Sequence, residues 1–265
     1  MSEFKTCCTL KNQCYIASND ASSGWYNNCL HGGVVAGMMY HGIEPYLPKN
    51  HTPKCFHVNL YKPVCTGPLT IAEKCLRSGK RIHCHEVTLN YQHNPVATGS
   101  MTTRPASLRL DTTMSTPYDD LMQWQQARPI ESWHWKDRVF ASTCVDIRLG
   151  FGDPLGMPGE AGVWLKLNRP FINEEGVNPI AMSIIASDFG NAVANIVSID
   201  THVFINPDLT IRWLRPPQES WVGIAAKTLQ LTEQNALVQS YLYDQQGCFG
   251  LAFQSLILEL REHFY

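Results

Sequence analysis

The chain is written twice, and that duplication limits its fold more than any other feature. "VNLYKPV" at Val58–Val64 returns as "IRWLRPP" at Ile211–Pro217, 153 positions later (211 less 58). With that offset held, Pro63 falls on Pro216, Ile71 on Ile224, Ala72 on Ala225 and Lys74 on Lys227. Leu76, Leu89 and Gln92 fall on Leu229, Leu242 and Gln245, and no gap is needed from 58 to 102. The identities are few; the stronger sign is that strand-like runs and turns coincide. The first copy has an apolar segment at Val34–Ile43, then runs at Phe56–Tyr61, Leu69–Leu76, Ile82–Tyr91 and Val96–Thr103. The second has Ile180–Phe189, then Thr210–Leu214, Trp221–Leu229, Ala236–Tyr243 and Phe249–Leu258. "QHNP" at Gln92–Pro95 and "QQGC" at Gln245–Cys248 both carry turn chemistry. One helix followed by antiparallel strands, twice, predicts an α+β chain. Each helix is apolar on nearly all sides, as Met38, Met39, Ile184, Ile185 and Phe189 show, and so must be wrapped by its sheet.

The copies are joined by Asp111–Ser142, a poor repeat with Trp124, Trp133 and Trp135, too aromatic for a solvated linker. It reads as a strap across the surface. The chain then divides into an N-terminal unit at 1–110, a connection at 111–141 and a C-terminal unit at 142–265. Gly150–Gly162 reads as a loop; its glycines lack dinucleotide-fingerprint spacing and no helix pattern follows.

With 265 residues, 17% charged, and a net charge of -2, the composition suits a compact protein with a large core and gives no reason to expect nucleic acid as a partner. No apolar stretch approaches the length of a membrane span, and the first residues lack a signal-peptide pattern. Ten cysteines in that setting predict free thiols in a reducing compartment, hence a cytoplasmic location. No C-x-x-C pair supports structural zinc. His83 and His85 share a strand face that could hold zinc, but no third ligand is evident; no metal and no cofactor are expected. No G-x-S-x-G supports a serine hydrolase.

A duplicated fold can keep chemistry in one half only, so polar residues set in one copy's core pattern are the candidates. Aligned by their apolar runs, the helices are offset by 147, which sets Asp188 opposite His41. At 153, Asn206 stands opposite Pro53 and Gln254 opposite Met101. Asp188 follows "IAMSIIAS", where burial of a carboxylate is costly unless it is hydrogen-bonded or useful; the plain alternative is a cap at a helix end. Gln254 interrupts an apolar strand but is also acceptable on a wet face. Asn206 before Pro207 also suits a turn. "LHGGVVAGMM" at Leu30–Met39 places Gly32 and Gly33, poor helix formers, at the start of a buried helix. Either they let the chain turn in tightly or they bare the helix's N–H groups to something negative.

Taken together and in order, "LHGGVVAGMM", "VNLYKPV…GPLTIAEKCLRSGKR", "ASDFGNAV", "FINPDLTIRWLRPP…WVGIAAKTL" and "DQQGCFGLAFQSLIL" resemble the acyl-CoA thioesterase II type, over about residues 20–105 and 140–262. The resemblance implies a double hotdog: two tandem units, each a central helix wrapped by antiparallel sheet, with the sheets joined into one. It implies hydrolysis of acyl-CoA to free fatty acid and CoA, as part of fatty acid metabolism. The family's catalytic aspartate matches Asp188, its last-strand glutamine Gln254, and its third polar residue, often threonine or serine, falls at Asn206. Asp188 would be the base, with Gln254 and Asn206 holding the water. Partial burial would raise the carboxyl's pKa toward a base's range. Because paired hotdog units face helix start to helix, the N–H of Gly33, with Gly32, would serve as oxyanion donor, and His31 would cap the helix or line the entrance. The mirror arrangement, Pro179–Ile180 with His41 and Met101, lacks this chemistry, so one working site per chain is expected. The partner is the acyl-CoA substrate. A homo-oligomer is compatible with the resemblance, since hotdog sheets join edge to edge or back to back. Two rivals are a hotdog hydratase or dehydratase, which would want an acid paired with a histidine, and a non-catalytic acyl-CoA binding module. CoA contacts have no pattern; Lys62, Arg77, Lys80 and Arg215 are the basic candidates.

Overall fold

A computed structural model describes residues 5–24, 28–106, 115–130, 138–154, 158–198, 200–230, 232 and 234–263. Among these residues fourteen strands form one continuous sheet. The first half contributes β1 (Cys8–Lys11), β2 (Cys14–Ala17), β3 (His51–Leu60), β4 (Leu69–Ser78), β5 (His83–Tyr91) and β6 (Asn94–Pro105), with helix α1 (Gly32–Ile43) between β2 and β3. The connection adds β7 (Arg128–Pro129) and the single turn α2 (Phe140–Thr143). The second half contributes β8 (Val145–Phe151), β9 (Ala161–Leu167), α3 (Pro179–Ser187), α4 (Gly190–Val193), β10 (His202–Ile205), β11 (Asp208–Trp213), β12 (Val222–Gln230), β13 (Asn235–Asp244) and β14 (Gly247–Leu260). The strand order is β1-β2-β4-β5-β6-β3-β11-β14-β13-β12-β9-β8-β7, with β10 also on β14.

The seam between the halves is the antiparallel pair β3–β11, and it lies on a local twofold. His57 pairs with Thr210, while Phe56 pairs with Ile211 and Val58 with Leu209. His57 and Thr210 are themselves 153 apart, so the repeat offset maps one onto the other. The offset recurs far from the seam. Tyr91–Asn94 and Asp244–Gly247 close the two β-hairpins, and each hairpin carries a bulge just before its turn, at Leu89/Asn90 and Leu242/Tyr243. The β3 irregularity at Pro53/Cys55 corresponds to the break between β10 and β11, where Asn206 sits.

The helices obey the other offset: α1 begins at Gly32 and α3 at Pro179, 147 apart. Both are buried almost all round, with Met38, Met39, Ile184 and Ile185 at 0% exposure. They pack on each other through glycines one turn apart. A Cβ on Gly33 would lie 2.5 Å from the Ile185 carbonyl oxygen, and one on Gly37 would lie 2.8 Å from Ile185 Cγ1 and from Phe171. At Gly33 the obstacle is the Ile185 backbone, so the two helices meet there at a distance that alanine does not permit, whereas at Gly37 the neighbours are side chains.

The structure differs from the expected segments in four places. Each helix is preceded by a hairpin, β1–β2 and β8–β9. The first turns at Asn12 and Gln13, both at positive φ, a turn signal at a position where glycine is commoner. Ile180–Phe189 is not one segment; α3 stops at Ser187, and the chain turns at Asp188 and Phe189 into α4. β8 runs on to Phe151 and β9 begins at Ala161, so the loop read at 150–162 is shorter. The connection is a strap where it is described: Tyr118, Met122 and Ala127 form an apolar cluster with Trp164, Ala225, Tyr243 and Cys248. Trp124 packs on Trp164 and Trp221 with Arg148 over its ring; Trp133 and Trp135 lie outside the described residues. All ten cysteines are free thiols. His83 packs edge-on against His51, while His85 bonds Glu73, and no group of three metal-ligating side chains occurs among the described residues. Among those residues no helix is long and apolar enough to cross a membrane.

Candidate active site

The end of α3 meets the start of α1, and there a carboxylate meets bare backbone N–H groups. Asp188 is the C-terminal cap of α3, 4% exposed. A negative charge at that helix end opposes its dipole, but the neighbouring α1 presents its positive end. Asp188 Oδ2 accepts from the Gly33 N–H at 2.6 Å. A Cβ on Gly32 would lie 2.8 Å from Oδ2 and 2.9 Å from Oδ1. The absence of side chains on the two glycines allows this close approach, and the bare Gly33 N–H seats an anion on the helix start.

The remaining lone pairs of the carboxylate are also occupied. Oδ1 accepts from Asn206 Nδ2 at 2.7 Å and from Gln254 Nε2 at 3.3 Å. Gln254, 1% exposed, also donates to the Asp188 main-chain carbonyl at 3.2 Å, and its own Oε1 is buried with no partner among the described residues. Asn206 reaches in from the break between β10 and β11, Gln254 from β14. His31, the N-terminal cap of α1, places Nδ1 3.0 Å from Asp188 Oδ2. Its ring packs against Phe140 and Phe189, with centroids 5.1 and 4.7 Å away, and those two rings also meet each other. The six residues singled out in the sequence, Asp188, Gln254, Asn206, Gly33, Gly32 and His31, thus meet at one point.

Two details depart from expectation. Burial pushes the Asp188 carboxyl up, but the charge and hydrogen bond of His31, the Asn206 amide and the Gly33 N–H outweigh it and hold the group below its ordinary range. The net shift is therefore opposite to the rise expected from burial. The Gly33 N–H, expected to face an oxyanion, is committed to the carboxylate.

A cavity of about 50 Å³ lies against this cluster, lined by His31, Gly32, Asp188, Phe189, Asn191 and Asn206 among others. It has room for water but is far below the roughly 300–1,000 Å³ of a small-molecule pocket. Asn191, 6% exposed, was missed in the sequence, although an asparagine three residues past Asp188 in "DFGNAVA" is a legible signal. Ser23, Gly24, Val139, Ala141 and Ala192 complete the lining and carry no sequence signal. Among the basic candidates, Lys62, Arg77 and Lys80 are exposed, whereas Arg215 is tied to Asp244 at 2.6 and 2.5 Å.

The opposite ends of the helices are built differently. Asn178 caps α3 and donates to Glu44 Oε1 at 2.5 Å, His41 Nδ1 pairs with Tyr15 Oη at 2.8 Å, and Met101 is buried.

This architecture has solved counterparts. A thioesterase II-like structure from Thermobifida fusca matches at 15% identity with TM-score 0.73, covering 96% of each chain. A hot dog fold protein from Alicyclobacillus acidocaldarius matches at 13% and 0.75, covering 96% of each. An acyl-CoA thioesterase II from Mycobacterium marinum matches at 14% and 0.68, covering 95% of this chain and 94% of its own. No curated protein matches the sequence significantly. Residues 21–104 match the acyl-CoA thioesterase N-terminal domain and residues 114–258 its C-terminal domain, and the chain belongs to the acyl-CoA thioesterase family, enzymes that hydrolyse acyl-CoA thioesters.

Proposed function

We propose that this thioesterase cleaves acyl-CoA to a free fatty acid and CoA with a water molecule activated at the Asp188 carboxylate. The observation that carries the reading is the convergence of Gly33, Asn206, Gln254 and His31 on one buried carboxylate beside a water-sized cavity. A preorganised negative charge polarises a water, and the side-chain amides of Asn206 and Gln254 orient it. With the Gly33 N–H engaged, the oxyanion falls to the Gly32 N–H, the first of α1, which has no partner among the described residues.

One observation favours a second reading. An acid paired with a histidine suits hydration or dehydration of an acyl thioester, and His31 stands beside Asp188 although the two are far apart in sequence. One experiment separates the readings: a panel of acyl-CoAs of graded length, followed by thiol release, and enoyl-CoAs followed by loss of the enoyl absorbance. Thiol release that falls at least a hundredfold in Asp188→Asn supports hydrolysis at this site. Release unchanged in that variant, or enoyl turnover without thiol, rejects it.

A further inference from the structure

The carboxylate at the centre of the site is a poor proton acceptor as built. Four donors surround its two oxygens, from Gly33, Asn206, Gln254 and His31. An ionised carboxylate offers about four lone-pair positions, so a water that protonates Asp188 must first displace a partner. The imidazole beside it is differently placed. His31 Nδ1 lies 3.0 Å from Oδ2 and 3.1 Å from the Gly33 nitrogen. Two bare acceptors 3.0 Å apart repel, so a proton belongs between Nδ1 and Oδ2. The Gly33 N–H then goes to the nearer atom, Oδ2 at 2.6 Å. That sets the tautomer: Nδ1 carries hydrogen, and Nε2 is the basic nitrogen. Nε2 has no partner among the described residues, and His31 lines the cavity with its side chain 18% exposed.

Resting on the hydrolytic reading above, we infer that His31 is a catalytic residue, with Nε2 taking the proton of the attacking water while Asp188 holds Nδ1–H. The water oxygen bonds to the thioester carbonyl carbon, its proton passes to Nε2, and the carbonyl electron pair moves onto oxygen. On collapse the carbon–sulfur bond breaks with its pair going to sulfur, and Nε2–H returns the proton to the thiolate. The products are the fatty acid and the CoA thiol, and no other reactant is needed. Asp188 is the ionisable group facing the ring among the described residues; Phe140 from α2 and Phe189 from the turn after α3 flank it without charge. An aspartate that fixes an imidazole's tautomer and supports its cationic form is a recurrent device in hydrolases.

The test uses His31→Asn in the full chain, because asparagine caps a helix as well as any residue and keeps the start of α1 intact. General-base catalysis contributes about 10²–10⁴-fold. The expected result is a loss of that size in kcat with KM changed less than threefold, in a variant whose melting temperature stays close to wild type. The pH dependence of kcat/KM should also differ between wild type and His31→Asn, because the variant lacks the imidazole. If His31→Asn keeps kcat within threefold while Asp188→Asn abolishes turnover, His31 is a cap only and the inference falls, with the hydrolytic reading standing. If Asp188→Asn is itself active, the reading falls. Identical pH profiles of kcat/KM for wild type and His31→Asn also overturn the inference.

Discussion

Gly33 has its Cα packed so closely against Ile185 that an added Cβ would sit 2.5 Å from the Ile185 carbonyl oxygen. The obstacle is backbone, which cannot swing aside, and the same residue's N–H holds Asp188. Gly33→Ala should therefore cost about 1–3 kcal/mol by overpacking and lower kcat more than tenfold. Gly37→Ala meets side chains instead, Ile185 at Cγ1 and the outer edge of the Phe171 ring, which can give where backbone cannot. It should lose stability but keep most of its turnover. Thermal melts and kcat on both variants check this; equal losses of activity would mean that the Gly33 N–H does not matter to the site.

Asp188 ties stability to pH in a definite direction. Its carboxyl is held below the ordinary range in the folded chain, whereas an unfolded aspartate titrates at about 3.9. A depressed folded value adds stability that is present above the unfolded value and lost as pH falls through the folded one. The difference in unfolding free energy between wild type and Asp188→Asn should therefore shift in favour of the variant below about pH 4. Urea melts at pH 7, 5 and 3.5 measure it. A shift toward wild type on acidification would contradict the hydrogen-bonded, ionised Asp188.

Much of this was legible in the sequence, for physical reasons that differ by residue. The apolar runs of α1 and α3 and the turns at Gln92 and Gln245 depend on local patterning, so they could be read directly. Asp188, Gln254 and Asn206 stood out because a duplicated fold supplies its own reference: His41, Met101 and Pro53 show what each position holds in the other copy. The distance between Asp188 and Gly33 could not be read from either segment, since it arises from packing that joins two residues 155 positions apart; only the family resemblance pointed to it. The pairing of His31 with that carboxylate and the lowered Asp188 pKa were hidden for the same reason. The β1 and β8 hairpins escaped because their strands are short or interrupted by charge, as Lys11, Asp146 and Arg148 illustrate.

The resemblance would set Asn206 where a threonine or serine is expected, and its amide is 2.7 Å from Asp188 Oδ1. Removing a donor from a buried charge costs about 1.5–3 kcal/mol. Asn206→Ala should lose that much stability and 10- to 100-fold in kcat. Asn206→Ser restores a hydroxyl donor on a shorter side chain and should stay within tenfold of wild type. If alanine and serine behave alike, the side chain at 206 plays no part in holding the carboxylate or its water.

Arg215 was a candidate for the phosphates of CoA, but its guanidinium is spent inside the fold. It grips Asp244 with both terminal nitrogens, at 2.6 and 2.5 Å, and donates to the Gly247 carbonyl at 2.9 Å. Asp244, its side chain fully buried, also accepts from the N–H groups of Gln218 and Gln246 at 3.1 and 2.9 Å. The pair thus clamps the β13–β14 turn to the end of β11. Breaking a buried ion pair from one side costs about 3–5 kcal/mol, and lysine cannot reproduce the two-pronged contact. Both Asp244→Asn and Arg215→Lys should lower the denaturation midpoint, the first by the larger amount. In Arg215→Lys, KM for acyl-CoA should remain within twofold of wild type, because the loss falls on the turn and not on the substrate. A KM that rises tenfold in a folded Arg215→Lys protein would return this arginine to the CoA-binding surface.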